Sequence, residues 1–359
     1  MKKIIALLLA LVMVFALCAC GSSTSSSSPS SSAAEESAVE EAAEAPAAEE
    51  AEEAPAAEDA AAEEPTAASN LTIAVSTIAY SIAVLPQVLI DNLQALCEEN
   101  GWKFNMLAAE GDAVLQGEQV QTLVDQNPDY LIMFPADAAL AVDWVKTAYD
   151  AGISVILVGT DVAAEGQQYA KAFCGPNNYE MGVELAEALI AANGADAGLG
   201  IVEIGGNAGQ ADYIDRKAGF EATIQAGSNY TFLGDTAWCH SSRTDAQDSM
   251  ADFISTYGDQ INVLYGMDDD LTLGGVNAIA EAGKTDDIQV LSITGQIEAI
   301  QAIKDGKMVT TTYTPTLLTA SLVIDAINEY AANGSVDYQQ SYIPDLITAE
   351  NADNYEGEF

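Results

Sequence analysis

Apolar residues between Leu71 and Phe359 alternate between two patterns. Short, nearly continuous apolar runs predict β-strands, and most are followed by segments in which apolar residues recur every three or four positions, as in amphipathic helices. The predicted strands are Leu71–Val75, Lys103–Ala108, Tyr130–Phe134, Ser154–Val158, Gly200–Ile204, Tyr230–Asp235, Asn262–Tyr265, Gln289–Ile293 and Met308–Thr312. The clearest predicted helices are Leu85–Glu99, Ala139–Asp150, Met181–Asn193 and Leu271–Ala282.

A glycine closely follows each of these helices, at Gly101, Gly152, Gly194 and Gly283, which is typical of a helix C-terminus. Regular β-α alternation with continuous apolar strands predicts parallel sheets that are covered by helices on both faces. Two such runs predict an α/β fold with two doubly wound, Rossmann-like lobes. Ligands of open parallel sheets bind beyond the carboxyl ends of the strands, so we expect the site in the loops that follow the strands.

The first residues have the pattern of a processing signal. Lys2 and Lys3 precede the apolar run Ile4–Leu17, which is too short for a membrane-spanning helix of about 20 residues. The following Leu17-Cys18-Ala19-Cys20-Gly21 resembles the lipoprotein box of bacteria. We therefore predict a signal peptide at 1–19 and lipidation of Cys20, which would anchor the protein to the outer face of the cell membrane. A plain secretory signal is the alternative.

Residues 20–70 are predicted to be a tether. After Cys20 this segment is rich in Ser, Ala, Glu and Pro, contains 13 acidic residues, and has no aromatic or basic residue. Such a composition cannot bury enough apolar surface to offset the loss of chain entropy on folding. We expect a disordered, self-repelling linker, with the membrane contacted only through the lipid.

Charge and cysteine content exclude several classes of protein. The chain has 55 acidic and 11 basic residues, a net charge of −44, and such a field repels nucleic acid. Beyond Cys20, the cysteines Cys97, Cys174 and Cys239 are odd in number and widely spaced. This spacing suits neither a disulfide framework nor a zinc site. We expect these three residues to be small buried side chains, and we predict no metal.

Several short motifs follow one another along the predicted elements. They are Ile73–Thr77, Asp129–Phe134 with Pro135-Ala136-Asp137, Gly152–Ile156, Asn177-Asn178 with Gly182, Arg216–Phe220, Tyr265–Asp270 with Leu273-Gly274, and Asp305-Gly306-Lys307. In this order they resemble the type I periplasmic-binding-protein superfamily, in its ribose-binding-protein-like branch. The resemblance covers nearly all of Leu71–Phe359.

The resemblance implies two lobes joined by a three-strand hinge, the N-terminal lobe at 71–176 plus 314–341 and the C-terminal lobe at 177–313 plus 342–359. It also implies hinge closure around a sugar or another small polar solute. The expected function is that of a monomeric, extracytoplasmic substrate-binding lipoprotein that delivers its solute to the permease subunits of an ABC importer. A sensor lipoprotein that presents its ligand to a signalling receptor is an alternative, since one fold serves both functions.

The resemblance also implies a set of ligand contacts. Arg216 matches the family's second clamp arginine, while Asp268, Thr294 and Thr314 stand where ribose binders use Asn, Asp and Gln. A pentose bound in the ribose manner is therefore not expected. The full set of predicted ligand-binding residues is Tyr80, Asp161, Arg216, Trp238, Asp268, Thr294, Tyr313 and Thr314.

Two details of this set come from local patterns. Trp238 follows a predicted strand at its carboxyl end, where an aromatic ring offers a large contact area to a ligand. Asp268, Asp269 and Asp270 open a predicted helix, where carboxylates cap the first turn. We expect Asp269 or Asp270 to provide the cap and Asp268 to face the cleft. His240, the sole histidine, is interpreted as a loop residue.

A Rossmann-type enzyme is the remote alternative. Gly205-Gly206-Asn207-Ala208-Gly209 lies between a predicted strand and helix and superficially resembles a dinucleotide-binding loop, but its spacing differs from G-x-G-x-x-G. The sequence shows neither a G-x-S-x-G elbow nor a nucleophile with a partnered histidine. We therefore predict that the chain is not an enzyme and that it uses no cofactor.

Overall fold

The computed structural model describes residues 69–359; the predicted signal peptide, Cys20 and nearly all of the predicted tether lie outside this range. The strands are β1 (Thr72–Thr77), β2 (Lys103–Ala108), β3 (Tyr130–Phe134), β4 (Ser154–Val158), β5 (Ala172–Pro176), β6 (Gly200–Gly205), β7 (Thr231–Phe232), β8 (Ala237–Trp238), β9 (Val263–Gly266), β10 (Gln289–Leu291), β11 (Thr310–Tyr313), β12 (Gln339–Tyr342) and β13 (Asp345–Thr348). The helices are α1 (Val84–Glu99), α2 (Ala113–Val124), α3 (Ala141–Asp150), α4 (Ala164–Gln167), α5 (Asn178–Asn193), α6 (Ala211–Gly227), α7 (Arg243–Tyr257), α8 (Asp269–Glu281), α9 (Ile297–Lys304) and α10 (Thr316–Asn333).

Two sheets organise the described chain. The first has the strand order β12-β5-β4-β3-β1-β2, and every neighbouring pair is parallel. The second has the order β13-β11-β10-β9-β6-β7, with β8 also pairing with β6. Only β13 runs antiparallel to its neighbour among the pairs of this sheet. The predicted fold class, two doubly wound parallel-sheet lobes, is confirmed.

The central strands are buried on both faces, as their continuous apolar sequences require. In β3, Tyr130, Ile132 and Phe134 belong to the core that contains residues of α1 and α10. Leu131 and Met133 point to the opposite face and join the core that contains residues of α2 and α3. A third core fills the second lobe. Because side chains alternate along the strand, β3 contributes residues to the hydrophobic cores on both faces of the sheet.

The chain crosses between the lobes three times. The crossings lie between β5 and α5, between β11 and α10, and between β12 and β13. Tyr342 is the last residue of β12 and pairs with Pro176 in the first sheet, so it belongs to the first lobe, whereas the predicted boundary placed it in the second. Hydrogen bonds join the crossings: the N–H of Asn177 donates to the backbone oxygen of Tyr342 at 2.8 Å, and Oγ1 of Thr319 lies 3.0 Å from the hydroxyl of Tyr342.

The predicted elements differ from the structure mainly at polar or short strands. β5 contains Gly175 and Pro176 and was not predicted, and β12 was missed because Gln339, Gln340 and Ser341 are polar. The predicted strand Tyr230–Asp235 is reduced to β7, two residues long. β5 and β12 thus lack a continuous apolar run, and β7 keeps only the two residues of the predicted run that pair with β6.

The glycines after the helices adopt the conformation that the pattern predicts. Gly101, Gly152, Gly194 and Gly283 all have φ between 67° and 83°. This left-handed region costs a glycine nothing but strains residues that carry a Cβ atom. The helix ends predicted from these glycines therefore agree with the structure to within one or two residues.

Two glycines allow α5 and α6 to pack closely. A Cβ atom on Gly182 would collide with the backbone oxygen of Arg216, and one on Gly219 would collide with the backbone oxygen of Tyr179. The contact is therefore between the backbones of the two helices. Because α6 carries Arg216, this close approach fixes the position of a predicted site residue.

We predict that Gly219→Ala lowers the free energy of unfolding by about 1–3 kcal/mol, the usual cost of overpacking. The matched control is Gly227→Ala at the end of the same helix, where an added Cβ atom would meet only the tip of the Ile190 side chain, at 3.1 Å. Urea denaturation of both variants measures the effect. Equal stability of the two variants would contradict the close packing of α5 on α6.

Candidate ligand-binding site

A cavity of about 830 Å³ lies between the lobes at the carboxyl ends of the strands. Its walls include residues that follow β1, β3 and β4 of the first sheet and β6, β8, β9 and β10 of the second. Cavities of roughly 300–1,000 Å³ are typical of small-molecule sites. The cavity thus lies where the sequence pattern predicts the site.

Arg216 lies at the floor of the cavity and is 5% exposed. Its Nε donates to Oδ1 of Asn178 at 2.9 Å, and its Nη1 donates to the backbone oxygen of Met267 at 2.9 Å. Asn178 begins α5 at the first crossing, and Met267 precedes α8. The guanidinium therefore joins the hinge to the loop that carries Asp268.

Asp212 lies one helical turn before Arg216 and is buried in the cavity wall. Its Oδ2 is 3.7 Å from Nη1 of Arg216, and its Oδ1 has no hydrogen-bond partner in the described chain. Burial raises the pKa of Asp212, although the charge of Arg216 opposes the shift. A buried carboxylate oxygen without a donor is unfavourable, so Oδ1 would gain a hydrogen bond if the side chain turned towards a donor in the cavity.

Asp268 both caps α8 and lines the cavity. Its Oδ1 accepts a hydrogen bond from the backbone N–H of Asp270 at 2.9 Å. The expectation that Asp269 or Asp270 caps this helix is therefore wrong: Asp269 instead accepts from Oγ1 of Thr311 at 2.7 Å, and Asp270 pairs with Arg243. Burial and the neighbouring Asp269 carboxylate raise the pKa of Asp268 to about 7.

Thr294 lines the cavity in a strained backbone conformation, with φ of 119°. Positive φ is rare for a β-branched residue, and strain of this kind is concentrated at functional sites. Its Oγ1 is buried and has no hydrogen-bond partner in the described chain. Its backbone oxygen accepts from Oγ1 of Thr314, a second cavity residue, at 2.7 Å. The hydroxyl of Thr294 is thus a second buried group that a ligand can satisfy.

The first lobe forms a wall of different chemistry, which we call the apolar wall. Ile82, Val84 and Val114 line the cavity on this side and are 59%, 54% and 71% exposed. The buried residues Ile78 and Phe134 continue the same wall. This part of the first lobe therefore presents apolar surface to the cavity, while Thr316, Thr319 and Tyr342 place hydroxyl groups elsewhere along its lining.

Four of the eight predicted contacts, Arg216, Asp268, Thr294 and Thr314, lie together in the cavity. The other four do not line it. Asp161 accepts hydrogen bonds from Tyr338 at 2.7 Å and Gln167 at 3.0 Å, and Tyr80 donates to Asp91 at 2.6 Å. Each of these two polar groups is already paired within its own lobe.

The two remaining aromatic residues pack inside the second lobe. The ring of Trp238 lies against Gly205 and the core. Tyr313 points its hydroxyl at Glu358, 3.5 Å away, and its ring packs on Tyr355 at a centroid distance of 5.2 Å. Both therefore act as packing residues in this structure.

Several cavity residues were absent from the predicted set. Those with polar or charged side chains are Glu110, Asp112, Asn207, Gln210, Asp212, Tyr213, His240, Ser241, Asp270, Gln296, Thr316, Thr319 and Tyr342. Asp212 could have been identified from the sequence, because it lies four positions before Arg216 and therefore on the same face of the helix. His240 and Ser241 follow β8 and have φ of 48° and 56°, and the shortness of that strand concealed its carboxyl end.

The described residues contain no group of metal-binding side chains. Among the helices of 69–359, none has the length and apolar character needed to span a membrane. Cys97, Cys174 and Cys239 are free and buried, as predicted. Burial raises the pKa of the Cys97 thiol to about 12, so this thiol is unreactive at neutral pH.

Comparisons with known proteins agree with this geometry. A family model described as "Periplasmic binding protein domain" matches residues 73–335. The xylitol-binding protein of Mycolicibacterium smegmatis is 23% identical over 295 residues, 80% of each chain. The galactofuranose-binding protein YtfQ of Escherichia coli is 25% identical over 78% of this chain and 96% of its own.

Solved structures show the same fold. An ABC transporter solute-binding protein from Mycobacterium smegmatis, with bound glycerol, has a TM-score of 0.73 and 28% identity, covering 81% of this chain and 98% of that chain. A galactofuranose-binding protein has a TM-score of 0.73 and 23% identity, covering 79% and 96%. The match of the family model to most of the folded chain, together with these relatives, confirms the resemblance: the chain belongs to the periplasmic binding protein family, in its type I, ribose-binding-protein-like branch, and is a substrate-binding protein, not an enzyme.

Proposed function

We propose that this protein is the extracytoplasmic sugar-binding component of an ABC importer and that it holds its solute in the cavity between the lobes. The observation that carries the proposal is the pair of unpartnered buried acceptors, Oδ1 of Asp212 and Oγ1 of Thr294, in the cavity wall. Neither oxygen is exposed in this structure, so both gain hydrogen bonds if their side chains turn towards a hydroxylated solute in the cavity. Binding to such groups is favourable because the desolvation of each has already occurred on folding.

A hydroxylated solute suits the chemistry of the second lobe. Carboxylates accept hydrogen bonds from hydroxyl groups, and charge-assisted bonds of this kind are the stronger ones. Asp212 and Asp268 are such acceptors, and Gln296 adds an amide at the same wall. The named relatives that bind xylitol and galactofuranose support the same class of solute.

The charge of the cavity opposes anionic solutes. Arg216 is the one cationic side chain among its lining residues, and its Nε and Nη1 already donate to Asn178 and Met267. The lining also contains Asp212 and Asp268, whose ionised forms repel a second anion. Sugar phosphates and sugar acids are therefore poor candidates.

Ligand capture by both lobes couples binding to a change of shape. Solute-binding proteins of this architecture close by hinge motion, and a ligand favours the closed state by contacting both lobes at once. Here the three crossings form the hinge, and the cavity walls come from both sheets. A closed monomer that carries its solute is the form we expect the permease subunits to recognise.

We predict that Asp212→Asn weakens solute binding at least tenfold, or about 1.4 kcal/mol. The substitution keeps the shape of the side chain but removes the negative charge that makes the carboxylate a strong hydrogen-bond acceptor. Titration calorimetry with a solute identified from a thermal-shift panel of neutral sugars and polyols measures the loss.

Asp215→Asn is the matched control for this prediction. Asp215 lies on the same helix, does not line the cavity, and has a pKa that burial raises to about 6. Its substitution should leave affinity unchanged. Unaltered affinity of Asp212→Asn, or the absence of any stabilising solute in the panel, would overturn the proposed function.

A second prediction follows from the pKa of Asp268, which burial raises to about 7. In the unfolded chain an aspartate has a pKa of about 3.9, so the folded state binds the proton more tightly. The contribution of Asp268 to stability is fully present below about pH 4 and is lost as the pH rises towards about 7. As the pH rises from about 4 to about 7, the free energy of unfolding of ligand-free Asp268→Asn should therefore increase relative to that of wild type.

Asparagine is also a good N-cap residue, so the variant retains the start of α8. Urea denaturation at several pH values between 4 and 8 measures the difference. The exposed Asp286→Asn serves as the control and should show no such trend. A constant difference between wild type and Asp268→Asn across this range would show that the pKa of Asp268 is not raised in the folded protein.

The lipid anchor is a further part of the proposal, supported by the sequence Leu17-Cys18-Ala19-Cys20-Gly21. We predict that Cys20→Ser releases the protein from the membrane fraction or leaves it unprocessed. Cys18→Ser, two residues earlier, should be processed and retained as wild type is. Fractionation of cells followed by immunoblotting decides between them, and membrane retention of processed Cys20→Ser would exclude lipidation at this residue.

A further inference from the structure

The five residues of the apolar wall, Ile78, Ile82, Val84, Val114 and Phe134, carry no hydrogen-bonding group on their side chains. Two acidic residues flank the wall. Glu110 accepts from Oγ of Ser81 at 2.9 Å and from the backbone N–H groups of Tyr80 and Ser81, and Oδ1 of Asp112 caps α2 by accepting from the N–H groups of Val114 and Leu115 at 2.9 and 3.0 Å. The wall itself therefore offers a ligand only apolar surface.

The exposed members of this wall belong to two separate segments of the first lobe. Ile82 and Val84 lie at the start of α1, and Val114 lies in the first turn of α2. Ile82 also approaches the second segment, since a Cβ atom on Gly111 would lie 3.5 Å from its Cδ1. Neighbouring exposed apolar side chains in a cleft mark a surface that is covered in the functional state.

The second-lobe wall has the opposite character. The unpartnered oxygens of Asp212 and Thr294 lie there, together with Asp268 and Arg216. A solute that fills the cavity therefore meets hydrogen-bond acceptors on one side and aliphatic carbon on the other. A hydroxyl group held against the apolar wall would lose its water without gaining a partner, which costs roughly 1–3 kcal/mol.

We propose that the solute is neutral and two-faced, with hydroxyl groups along the edge that meets the second lobe and a methyl, methylene or aromatic group on the face that meets the apolar wall. Deoxy sugars and glycosides with an apolar aglycone have this chemistry. The inference rests on the proposed function, since it concerns the same cavity. Covering the aliphatic side chains contributes to affinity in proportion to the apolar area removed from water.

Matched pairs of solutes test the inference. The pairs are D-fucose with D-galactose, L-rhamnose with L-mannose, and phenyl β-D-glucopyranoside with D-glucose; the first member of each carries the apolar group. Thermal shift identifies the pairs that bind, and titration calorimetry measures their affinities. We expect the first member of each binding pair to bind at least about tenfold more tightly than the second. D-Galacturonate should not bind, because it is an anion.

Two substitutions in α2 test whether the difference in affinity within a pair depends on the apolar wall. Val114→Asn places an amide in the apolar wall and should reduce the ratio of affinities within a pair by at least about fivefold. Leu115→Asn is the matched control, since Leu115 is a partly exposed neighbour that does not line the cavity. It should leave the ratio unchanged. Both positions are exposed, so neither substitution disturbs a core.

The outcomes separate this inference from the proposed function. Equal affinities within a binding pair, or a ratio that Val114→Asn leaves unaltered, would overturn the inference while the proposed sugar-binding function stands. If no member of any pair binds, both the proposed function and this inference fail. Tighter binding of the apolar member, abolished by Val114→Asn and kept by Leu115→Asn, supports both.

Discussion

The guanidinium of Arg216 is buried at the floor of the cavity, where its hydrogen bonds join three parts of the second lobe. Nε holds Asn178 at the first crossing, Nη1 holds the backbone before Asp268, and Asp212 lies one turn away on the same helix. A buried cation persists only if such partners surround it. The positions of Asp212 and Asp268 in the cavity wall thus depend on one side chain.

The packing of the helices explains why Arg216 reaches these partners. Gly182 and Gly219 let α5 and α6 approach backbone to backbone, and Asn178 is the first residue of α5. A wider separation would move the guanidinium away from Asn178. The position of the site therefore depends on two glycines, each of which lies against the backbone of the opposite helix.

The fold could be predicted because most of its strands have a recognisable sequence pattern. β2, β3 and β4 have the limits that the apolar pattern predicts, and parallel topology places their carboxyl ends together. Arg216, Asp268, Thr294 and Thr314 were found because they follow strands or lie on a recognisable motif. Asp161 also follows a strand, but Tyr338, 177 residues later in the chain, binds its carboxylate. A partner so distant in the sequence leaves no local pattern. His240 was not assigned to the cavity because β8, the two-residue strand before it, is too short to be recognised from the sequence.

The apolar wall and the second-lobe wall of the cavity belong to different lobes, and the lobes share neither a sheet nor a hydrophobic core. Substitutions on one wall therefore need not be compensated on the other, because additivity holds for sites without shared partners. Recognition of stereochemistry, which hydrogen bonds provide, and recognition of bulk, which aliphatic contacts provide, can then diverge separately during evolution. A lineage of such proteins can acquire a new side group on its solute by altering a few residues of α1 and α2 while keeping the set of hydrogen bonds intact.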